Sequence, residues 1–296
     1  MRSFVGTGVA LVTPFRDDLS IDTKALQEIV EYNIAGGVDY LVALGTTAES
    51  VTLTKNEKRL VMQTISLANA GRLPLVVGVG GNNTMALIKE LQTMDFMDFE
   101  AILSVSPAYN KPTQEGIYQH FKAFSEASPL PIIMYNVPSR TGSNMLPATT
   151  IRLAKDFDNI IGIKEACADP IQIDQLMQQK PSGFHIISGD DPTALSTVLA
   201  GGSGVISVLG QGLPQAFSRM IHLGLQGDSE SAYEIHQSLL DGMQLIFEEG
   251  NPAGIKSIFE YLKLSQASVR LPLVEASDVL KSKIGQFVRN LELVES

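Results

Sequence analysis

The chain has 296 residues, of which 44% are hydrophobic and 18% are charged, a composition typical of a soluble globular protein. Its 32 acidic residues outnumber its 22 basic residues and give a formal net charge of -10 at pH 7. This balance argues against nucleic-acid binding, which needs clustered basic side chains, and the densest basic group (Lys55, Lys58 and Arg59) has the spacing of a solvated helix face.

The N-terminal segment "MRSFVGTGVALVTPF" is apolar, but it does not have the pattern of a signal peptide. Two glycines and Pro14 interrupt it, and no compact apolar run is followed by a small-residue cleavage site. We therefore expect it to enter the first strand. No apolar run approaches the roughly 20 residues that a membrane-spanning helix needs, so we expect a cytoplasmic protein without membrane contact.

Short apolar runs recur along the chain and predict eight strands. In chain order the runs begin at Gly8, Tyr40, Leu75, Ala101, Pro131, Ile160, Phe184 and Gly204. Most of them are apolar throughout rather than alternating, which is typical of parallel strands covered by helices.

The segments between the runs have helical patterns. Thr54 and Glu57 form a capping-box pattern at the start of one predicted helix. Another helix is predicted to begin with Asp191 as its N-cap and Pro192 at its first position.

Eight strand–helix units in about 200 residues predict an α/β fold of the (β/α)8 TIM-barrel type. A doubly wound open sheet is the alternative, but no Gly-rich dinucleotide-binding motif follows the first strand. Residues 1–225 are predicted to form the barrel catalytic domain. Residues 226–296 are predicted to form a C-terminal helical extension packed on the barrel, because no linker separates them as an independent domain.

Catalytic side chains of such barrels lie at the C-terminal ends of the strands, and Lys164 ends the predicted sixth strand "IIGIKEA". Burial would lower the pKa of this lysine from about 10.4, and a neutral amine can form a Schiff base with a ketone. The alternative is a buried ion pair with an aspartate on the seventh strand. Glu165 is a poor partner because adjacent strand residues face opposite ways.

Other strand ends carry side chains that could bind a 2-oxo acid. Thr46 and Thr47, with neighbouring backbone N–H groups, could hold a carboxylate, although the same pattern also fits a simple turn. Tyr135 and Tyr109 could relay protons, and Arg140 could bind a second carboxylate. Singly each is more often structural, but with the lysine they predict a Schiff-base enzyme that forms a carbon–carbon bond.

The cysteine and histidine content argues against other chemistry. One cysteine, Cys167, cannot form an internal disulfide, and it is a weaker candidate for the nucleophile. The four histidines are scattered without zinc-ligand spacing, so no metal site is expected.

The motifs "YNVPSRTG" and "GIKEA", at their spacing, resemble the dihydrodipicolinate synthase family, within the superfamily of N-acetylneuraminate lyase and related pyruvate aldolases. The resemblance extends from "GTGVALVTPF" to "NPAGIK". It implies a lyase that condenses pyruvate with L-aspartate-4-semialdehyde in the first committed step of lysine and diaminopimelate biosynthesis. No metal or organic cofactor is implied, since the Schiff base is formed on Lys164 itself.

The resemblance also implies roles for matching residues. Lys164 would form the Schiff base with pyruvate, and Tyr135 would be the central proton shuttle. Thr47 would link Tyr135 to Tyr109, which the neighbouring subunit would supply. Thr46 would join Thr47 in holding the pyruvate carboxylate.

Three further positions match substrate-binding positions of the family. Gly189 and Ile206 would line the pyruvate pocket, and Arg140 would bind the carboxylate of the aldehyde. Arg140 favours a synthase over the alternative, a lyase of N-acetylneuraminate or of sugar acids. A non-catalytic pyruvate-binding protein is less favoured because every position of the relay is filled.

The family resemblance implies a homotetramer built as a dimer of dimers, and at least a dimer. It also implies a lysine-inhibition pocket at the tight-dimer interface, where Ser50 and Asn82 are retained. The remaining matching positions hold Lys55, Lys58, Ala86 and Ala108. Two cations would repel lysine and no carboxylate would hold its ammonium group, so weak or absent feedback is predicted.

Overall fold

Eight parallel strands form a closed barrel in the computed structural model, which describes residues 4–295. The strands are β1 (Gly6–Ala10), β2 (Tyr40–Ala43), β3 (Leu75–Gly78), β4 (Ala101–Val105), β5 (Ile132–Asn136), β6 (Ile160–Glu165), β7 (His185–Ser188) and β8 (Gly204–Ser207). Each strand pairs with the next in sequence, and β8 closes the barrel against β1. The barrel prediction is confirmed and the open-sheet alternative is wrong.

Helices surround the barrel and continue beyond it. They are α1 (Thr23–Ala35), α2 (Lys55–Asn69), α3 (Thr84–Thr93), α4 (Gln114–Ala127), α5 (Pro138–Thr141), α6 (Pro147–Asp156), α7 (Pro170–Gln179), α8 (Ala194–Leu199), α9 (Pro214–Gln226), α10 (Ser229–Glu248), α11 (Ala253–Tyr261) and α12 (Asp278–Glu295). Within the part of the chain that the structure describes, no helix is both long enough and apolar enough to pass through a bilayer.

The C-terminal helices α10 to α12 follow the eighth barrel helix, α9, without an intervening linker. Helix α10 packs against α9, and α12 packs against both α10 and α11. The division into a barrel at 1–225 and an extension at 226–296 stays a prediction, and residues 1–3 and 296 of those ranges lie outside the described residues.

Helix caps confirm one sequence prediction and overturn another. The Thr54–Glu57 capping box is present at the start of α2. The prediction that Asp191 caps a helix is wrong, since α8 begins only at Ala194. The Asp191 carboxylate is instead buried and accepts hydrogen bonds from backbone N–H groups at the end of β8, where buried amides need an acceptor.

The barrel interior is filled by side chains rather than open. Its buried apolar cluster consists of Phe4, Ala10, Tyr40, Val42, Val76, Ala101, Leu103, Ile133, Tyr135, Val137, Ile187 and Ile206. Phe4 and the Tyr40 ring meet edge to face, with centroids 5.7 Å apart, near the N-terminal ends of the strands. Gly8 makes room for Tyr40, because a Cβ at position 8 would lie 2.1 Å from its ring. This packing closes the N-terminal side and leaves the C-terminal ends available for a site.

Candidate active site

Lys164 lies near the C-terminal end of β6, with its side chain buried in the mouth of the barrel. Burial lowers the pKa of its ammonium group to about 8, the charge of Asp191 opposes this shift, and the charge of Arg140 adds to it. Among residues 4–291, whose side chains the structure describes, no carboxylate lies within salt-bridge distance of Nζ. The ion-pair alternative is therefore not supported, and the amine is deprotonated more readily than an ordinary lysine.

Tyr135 lies beside Lys164 because the two residues are in register on the neighbouring strands β5 and β6. The lysine Nζ is 4.5 Å from the centroid of the tyrosine ring. Burial raises the pKa of the Tyr135 phenol, and the charge of Arg140 and a hydrogen bond with Thr46 partly oppose this shift. The phenol is therefore protonated at neutral pH and can give a proton to a group held at Lys164.

The loop after β2 consists of two short 3₁₀ turns, Thr46–Ala48 and Ser50–Thr52. Of the two threonines, Thr46 is the one whose side chain acts on the Tyr135 phenol, and it lowers the pKa of that group. Thr47 is buried, and its Oγ1 accepts a hydrogen bond of 3.0 Å from Asn251 Nδ2. The structure thus corrects the expectation that Thr47 links to Tyr135. A 3₁₀ turn has about three residues per turn, so successive side chains point in different directions.

Ala48 does not strain this loop. It lies in the first 3₁₀ turn, and the left-handed residue between the two turns is Glu49, with a φ of 52°. An alanine is therefore accommodated at position 48 without left-handed strain.

Gly189 lies beside Lys164, and Ile206 lies in the barrel interior with Tyr135. A Cβ on Gly189 would lie 2.9 Å from Lys164 Cε and 2.8 Å from Ala166 Cβ, so a larger residue would displace the lysine. Ile206, on β8, belongs to the same interior cluster as Tyr135. These two positions give the pocket an apolar wall beside the amine.

Arg140 lies in the short helix α5, which follows β5, and its side chain is exposed. Its charge lowers the pKa of both Lys164 and Tyr135, so the guanidinium acts on the mouth of the barrel. An exposed guanidinium at a pocket entrance can bind a carboxylate through two parallel hydrogen bonds.

Tyr109 follows β4 and is 91% exposed. Its backbone is left-handed, with a φ of 67°, and its N–H donates to Thr141 O at 3.0 Å. Where the structure describes side chains, at residues 4–291, no hydrogen bond joins the Tyr109 hydroxyl to Tyr135 or Thr46. One chain therefore does not assemble the three predicted relay residues.

A buried polar network behind the pocket was missed by sequence reasoning. Asn136 Nδ2 donates to both carboxylate oxygens of Glu165, at 2.9 and 3.0 Å, and Gln172 Nε2 donates to Oε2 at 2.9 Å. Burial raises the pKa of Glu165, and these donors oppose that rise. Because Asn136 follows Tyr135 and Glu165 follows Lys164, the network joins the two strand ends on their outer side. The sequence did contain a signal for this network, since a polar residue directly follows each of the two site residues: Asn136 follows Tyr135, and Glu165 follows Lys164.

Contacts from the C-terminal segment were also missed. Lys256 Nζ lies 2.6 Å from Glu49 Oε1, and both side chains are fully buried. The backbone N–H of Arg270 donates to the other oxygen of Glu49 at 2.9 Å. Lys256 and Glu49 are 207 residues apart, so no local pattern could have paired them.

A cavity of about 260 Å³ lies between α2 and α3, beside the positions predicted for lysine inhibition. It is lined by Lys55, Asn56, Lys58, Arg59, Met62, Glu90, Thr93, Met94 and Asp95. Glu90 and Asp95 contribute two carboxylates to the cavity, and the three cations outnumber them. Ser50, Asn82, Ala86 and Ala108 do not line it, so weak lysine feedback stays a prediction.

The chain matches the Dihydrodipicolinate synthetase family over residues 3–291. It is 60% identical over 291 residues to the 4-hydroxy-tetrahydrodipicolinate synthase of Flavobacterium psychrophilum, covering 98% of this chain and 99% of that protein. The structure is similar to that of dihydrodipicolinate synthase from Thermotoga maritima, with a TM-score of 0.95, 36% identity and coverage of 98% and 99%. It is also similar to the chloride-inhibited dihydrodipicolinate synthase of Acinetobacter baumannii complexed with pyruvate, with a TM-score of 0.93, 35% identity and coverage of 97% and 99%.

Proposed function

The chain belongs to the dihydrodipicolinate synthetase family, and we propose that it condenses pyruvate with L-aspartate-4-semialdehyde to 4-hydroxy-tetrahydrodipicolinate. This lyase reaction is the first committed step of lysine and diaminopimelate biosynthesis. The observation that carries the proposal is the buried Lys164 amine, which lies 4.5 Å from the centroid of the Tyr135 ring and has no carboxylate partner among residues 4–291. The names of the relatives support the same reaction.

The first step forms a Schiff base. Neutral Lys164 Nζ attacks the carbonyl carbon of pyruvate, and one amine proton moves to the oxygen to give a carbinolamine. Tyr135 donates a proton to that hydroxyl, which leaves as water, and an iminium remains on the lysine. The resulting phenolate removes a proton from the pyruvate methyl group, which gives an enamine and restores the phenol.

The second step forms the carbon–carbon bond. The enamine carbon attacks the aldehyde, the new alkoxide takes a proton from Tyr135, and the iminium is restored. The amine of the semialdehyde then attacks the iminium carbon. One of its protons passes to the lysine nitrogen, which leaves as the neutral amine, and the other returns to Tyr135. The iminium is the electron sink, so we propose that no metal or organic cofactor takes part.

The remaining site residues would bind and orient. Thr47, with backbone N–H groups of its turn, would hold the pyruvate carboxylate, beside Thr46. Thr46 would also connect Tyr135 to solvent through the partner's tyrosine at position 109. Arg140 would bind the carboxylate of the aldehyde, and the apolar wall at Gly189 and Ile206 would accept the methyl group of pyruvate.

A lyase of N-acetylneuraminate or of sugar acids would use the same Schiff base. Arg140 at the pocket entrance favours an aldehyde that carries a carboxylate. A non-catalytic pyruvate-binding protein would not need a phenol beside the amine, so Tyr135 argues against it.

We further propose that the working form is a homo-oligomer, at least a dimer and in the predicted form a tetramer, in the cytoplasm. The 91% exposure of Tyr109 supports this, because a relay residue exposed to water would have to enter the pocket of a second copy.

A coupled assay tests the function. Pyruvate and aspartate-4-semialdehyde are supplied with the downstream reductase and a nicotinamide cofactor, and cofactor oxidation is followed. Turnover that depends on both substrates is expected. Borohydride should trap pyruvate on the wild-type protein and not on Lys164→Ala. Trapping without turnover would move the assignment to a sugar-acid or sialic-acid lyase.

A further inference from the structure

Asn251 reaches the candidate site from outside the barrel. It lies between α10 and α11, is largely buried, and its Nδ2 donates to Thr47 Oγ1 at 3.0 Å. The two residues are 204 positions apart, and this contact joins the C-terminal segment to the turn after β2. Asn251 has no place in the mechanism described above, although it touches a residue that does.

The contact fixes the direction of the Thr47 hydroxyl. A hydroxyl group has one proton to donate, and one that accepts from an amide N–H directs its own proton elsewhere. Among residues 4–291, whose side chains the structure describes, no acceptor receives the Thr47 hydroxyl proton. Thr47 is therefore a buried hydroxyl group whose proton is available for a ligand such as a carboxylate.

Buried contacts on both sides of the turn after β2 fix its position relative to Asn251. Thr13 Oγ1 donates to Ala48 O at 2.8 Å from the barrel side. On the C-terminal side, Lys256 binds Glu49 Oε1 at 2.6 Å and Ser268 O at 2.8 Å. Because Lys256 is in the helix that begins two residues after Asn251, the ion pair and the Asn251 hydrogen bond anchor adjacent points of the turn.

We propose that Asn251 is a positioning residue for the carboxylate of pyruvate, which acts by orienting the hydroxyl of Thr47. This inference rests on the proposed function, because it takes pyruvate as the ligand. Asn251 does not touch the reacting atoms, so its loss should weaken pyruvate binding much more than it slows the chemical step.

A double-mutant cycle on pyruvate trapping tests the proposal. The half-saturating pyruvate concentration is measured by borohydride trapping and mass spectrometry, alongside kcat in the coupled assay. Asn251→Ala is expected to raise that concentration about tenfold, because a tenfold change corresponds to the energy of about one hydrogen bond to a charged group. The value of kcat at saturating pyruvate should stay within about threefold of wild type. In a Thr47→Val background the same Asn251→Ala change should have less than about a twofold effect.

Asn251→Asp provides a second, independent test, because aspartate and asparagine have nearly the same side-chain volume. A carboxylate can only accept, so it would turn the Thr47 hydroxyl away from pyruvate and add a repelling charge. It should therefore raise the half-saturating pyruvate concentration more than Asn251→Ala does. A smaller increase than that of Asn251→Ala would contradict this orientation of the Thr47 hydroxyl.

Asn69→Ala is the matched control. Asn69 is also buried and donates to a loop carbonyl, Leu73 O at 2.8 Å, between α2 and β3, away from the mouth. It should lower the melting temperature without changing pyruvate dependence. An equal Asn251→Ala effect with and without the Thr47 hydroxyl, or no effect in wild type, would overturn the proposal alone. A wild-type protein that traps no pyruvate would overturn the proposed function as well.

Discussion

Lys164 shows how desolvation prepares one residue for nucleophilic attack. Its ammonium group is buried against Tyr135. Two nearby charges affect the pKa of this group: that of Asp191 raises it and that of Arg140 lowers it. The Asp191 carboxylate already accepts hydrogen bonds from the backbone N–H groups of Val208 and Leu209, just after β8, and burial raises its pKa to about 6. Desolvation therefore outweighs charge stabilisation, and the neutral amine becomes available near physiological pH.

The lysine pKa predicts a pH dependence. A pKa of about 8 leaves roughly one amine in ten neutral at pH 7, against roughly one in three thousand at a pKa of 10.5. The neutral fraction rises as pH rises, so the initial rate of adduct formation should increase about tenfold per unit below pH 8 and level off above it. Samples reacted with pyruvate from pH 6 to 9.5 are quenched into borohydride at one common pH, with Lys164→Ala as control. A rate that is flat or falls between pH 6.5 and 8 would contradict the assignment.

Tyr135→Phe separates proton transfer from packing. The ring and its contact with the lysine remain, but the hydroxyl that moves protons is lost. Turnover should fall by about 10²- to 10⁴-fold, the usual contribution of a proton-transfer group. The coupled assay measures this, with pyruvate trapping as a parallel reading. Near-normal turnover would remove Tyr135 from the relay.

At the scale of elements, the loop after β2 depends on the C-terminal helix α11. Glu49 joins its two 3₁₀ turns in a left-handed conformation, and its carboxylate binds Lys256 Nζ and Arg270 N. The Lys256 ammonium also lies 4.3 Å from the centroid of the Phe15 ring. A turn held at one end by a barrel strand and at the other by this ion pair keeps its threonines in place.

Breaking that ion pair on one side should cost more than removing both charges. Lys256→Met leaves the buried Glu49 carboxylate without its cation, and a loss of about 3 to 5 kcal/mol in the free energy of unfolding is expected. Adding Glu49→Gln removes the uncompensated charge and should recover part of this loss. Urea unfolding of the two variants measures the difference. A double variant less stable than Lys256→Met would contradict this explanation.

At the scale of the molecule, large apolar side chains are exposed beside the mouth of the barrel. Val51 is 95% exposed, Met85 72% and Tyr109 91%. They follow the consecutive strands β2, β3 and β4, so they lie in one sector of the barrel's C-terminal side. Exposed apolar groups grouped in this way are typical of a protein–protein interface, which agrees with the proposed oligomer.

Subunit mixing tests whether Tyr109 acts in the neighbouring site. Lys164→Ala and Tyr109→Phe chains, each impaired alone, are co-expressed with different tags and the mixed oligomer is purified. If Tyr109 acts across subunits, one of the two sites in each mixed pair combines an intact Lys164 with an intact Tyr109. Turnover per mixed pair should then recover to about half of the wild-type value. No recovery above the Tyr109→Phe protein would place Tyr109 in its own chain's site or outside the mechanism.

Feedback by lysine is expected to be weak or absent. The cavity beside the predicted positions has three cations, Lys55, Lys58 and Arg59, against the two carboxylates Glu90 and Asp95. The excess positive charge opposes a cationic ligand. A steady-state assay with added lysine measures this. Inhibition below about millimolar lysine would show that the carboxylates outweigh the cations.

The sequence alone determined the barrel and the strand ends that carry Lys164 and Tyr135. Eight apolar runs at helix-spaced intervals specify parallel strands, and barrel geometry then places these two residues at one end. These predictions succeeded because strand periodicity and strand-end position are local properties of the chain. The capping box at Thr54 is local in the same way.

Only the tertiary structure decided which threonine meets Tyr135, where the Asp191 carboxylate points, and that Asn251 and Lys256 hold the turn after β2. Each of these contacts depends on the direction of a side chain in an irregular turn or joins residues far apart in sequence. The direction of a side chain in a 3₁₀ turn follows from its dihedral angles, and distant contacts form only when a buried donor or charge finds a partner in the folded chain.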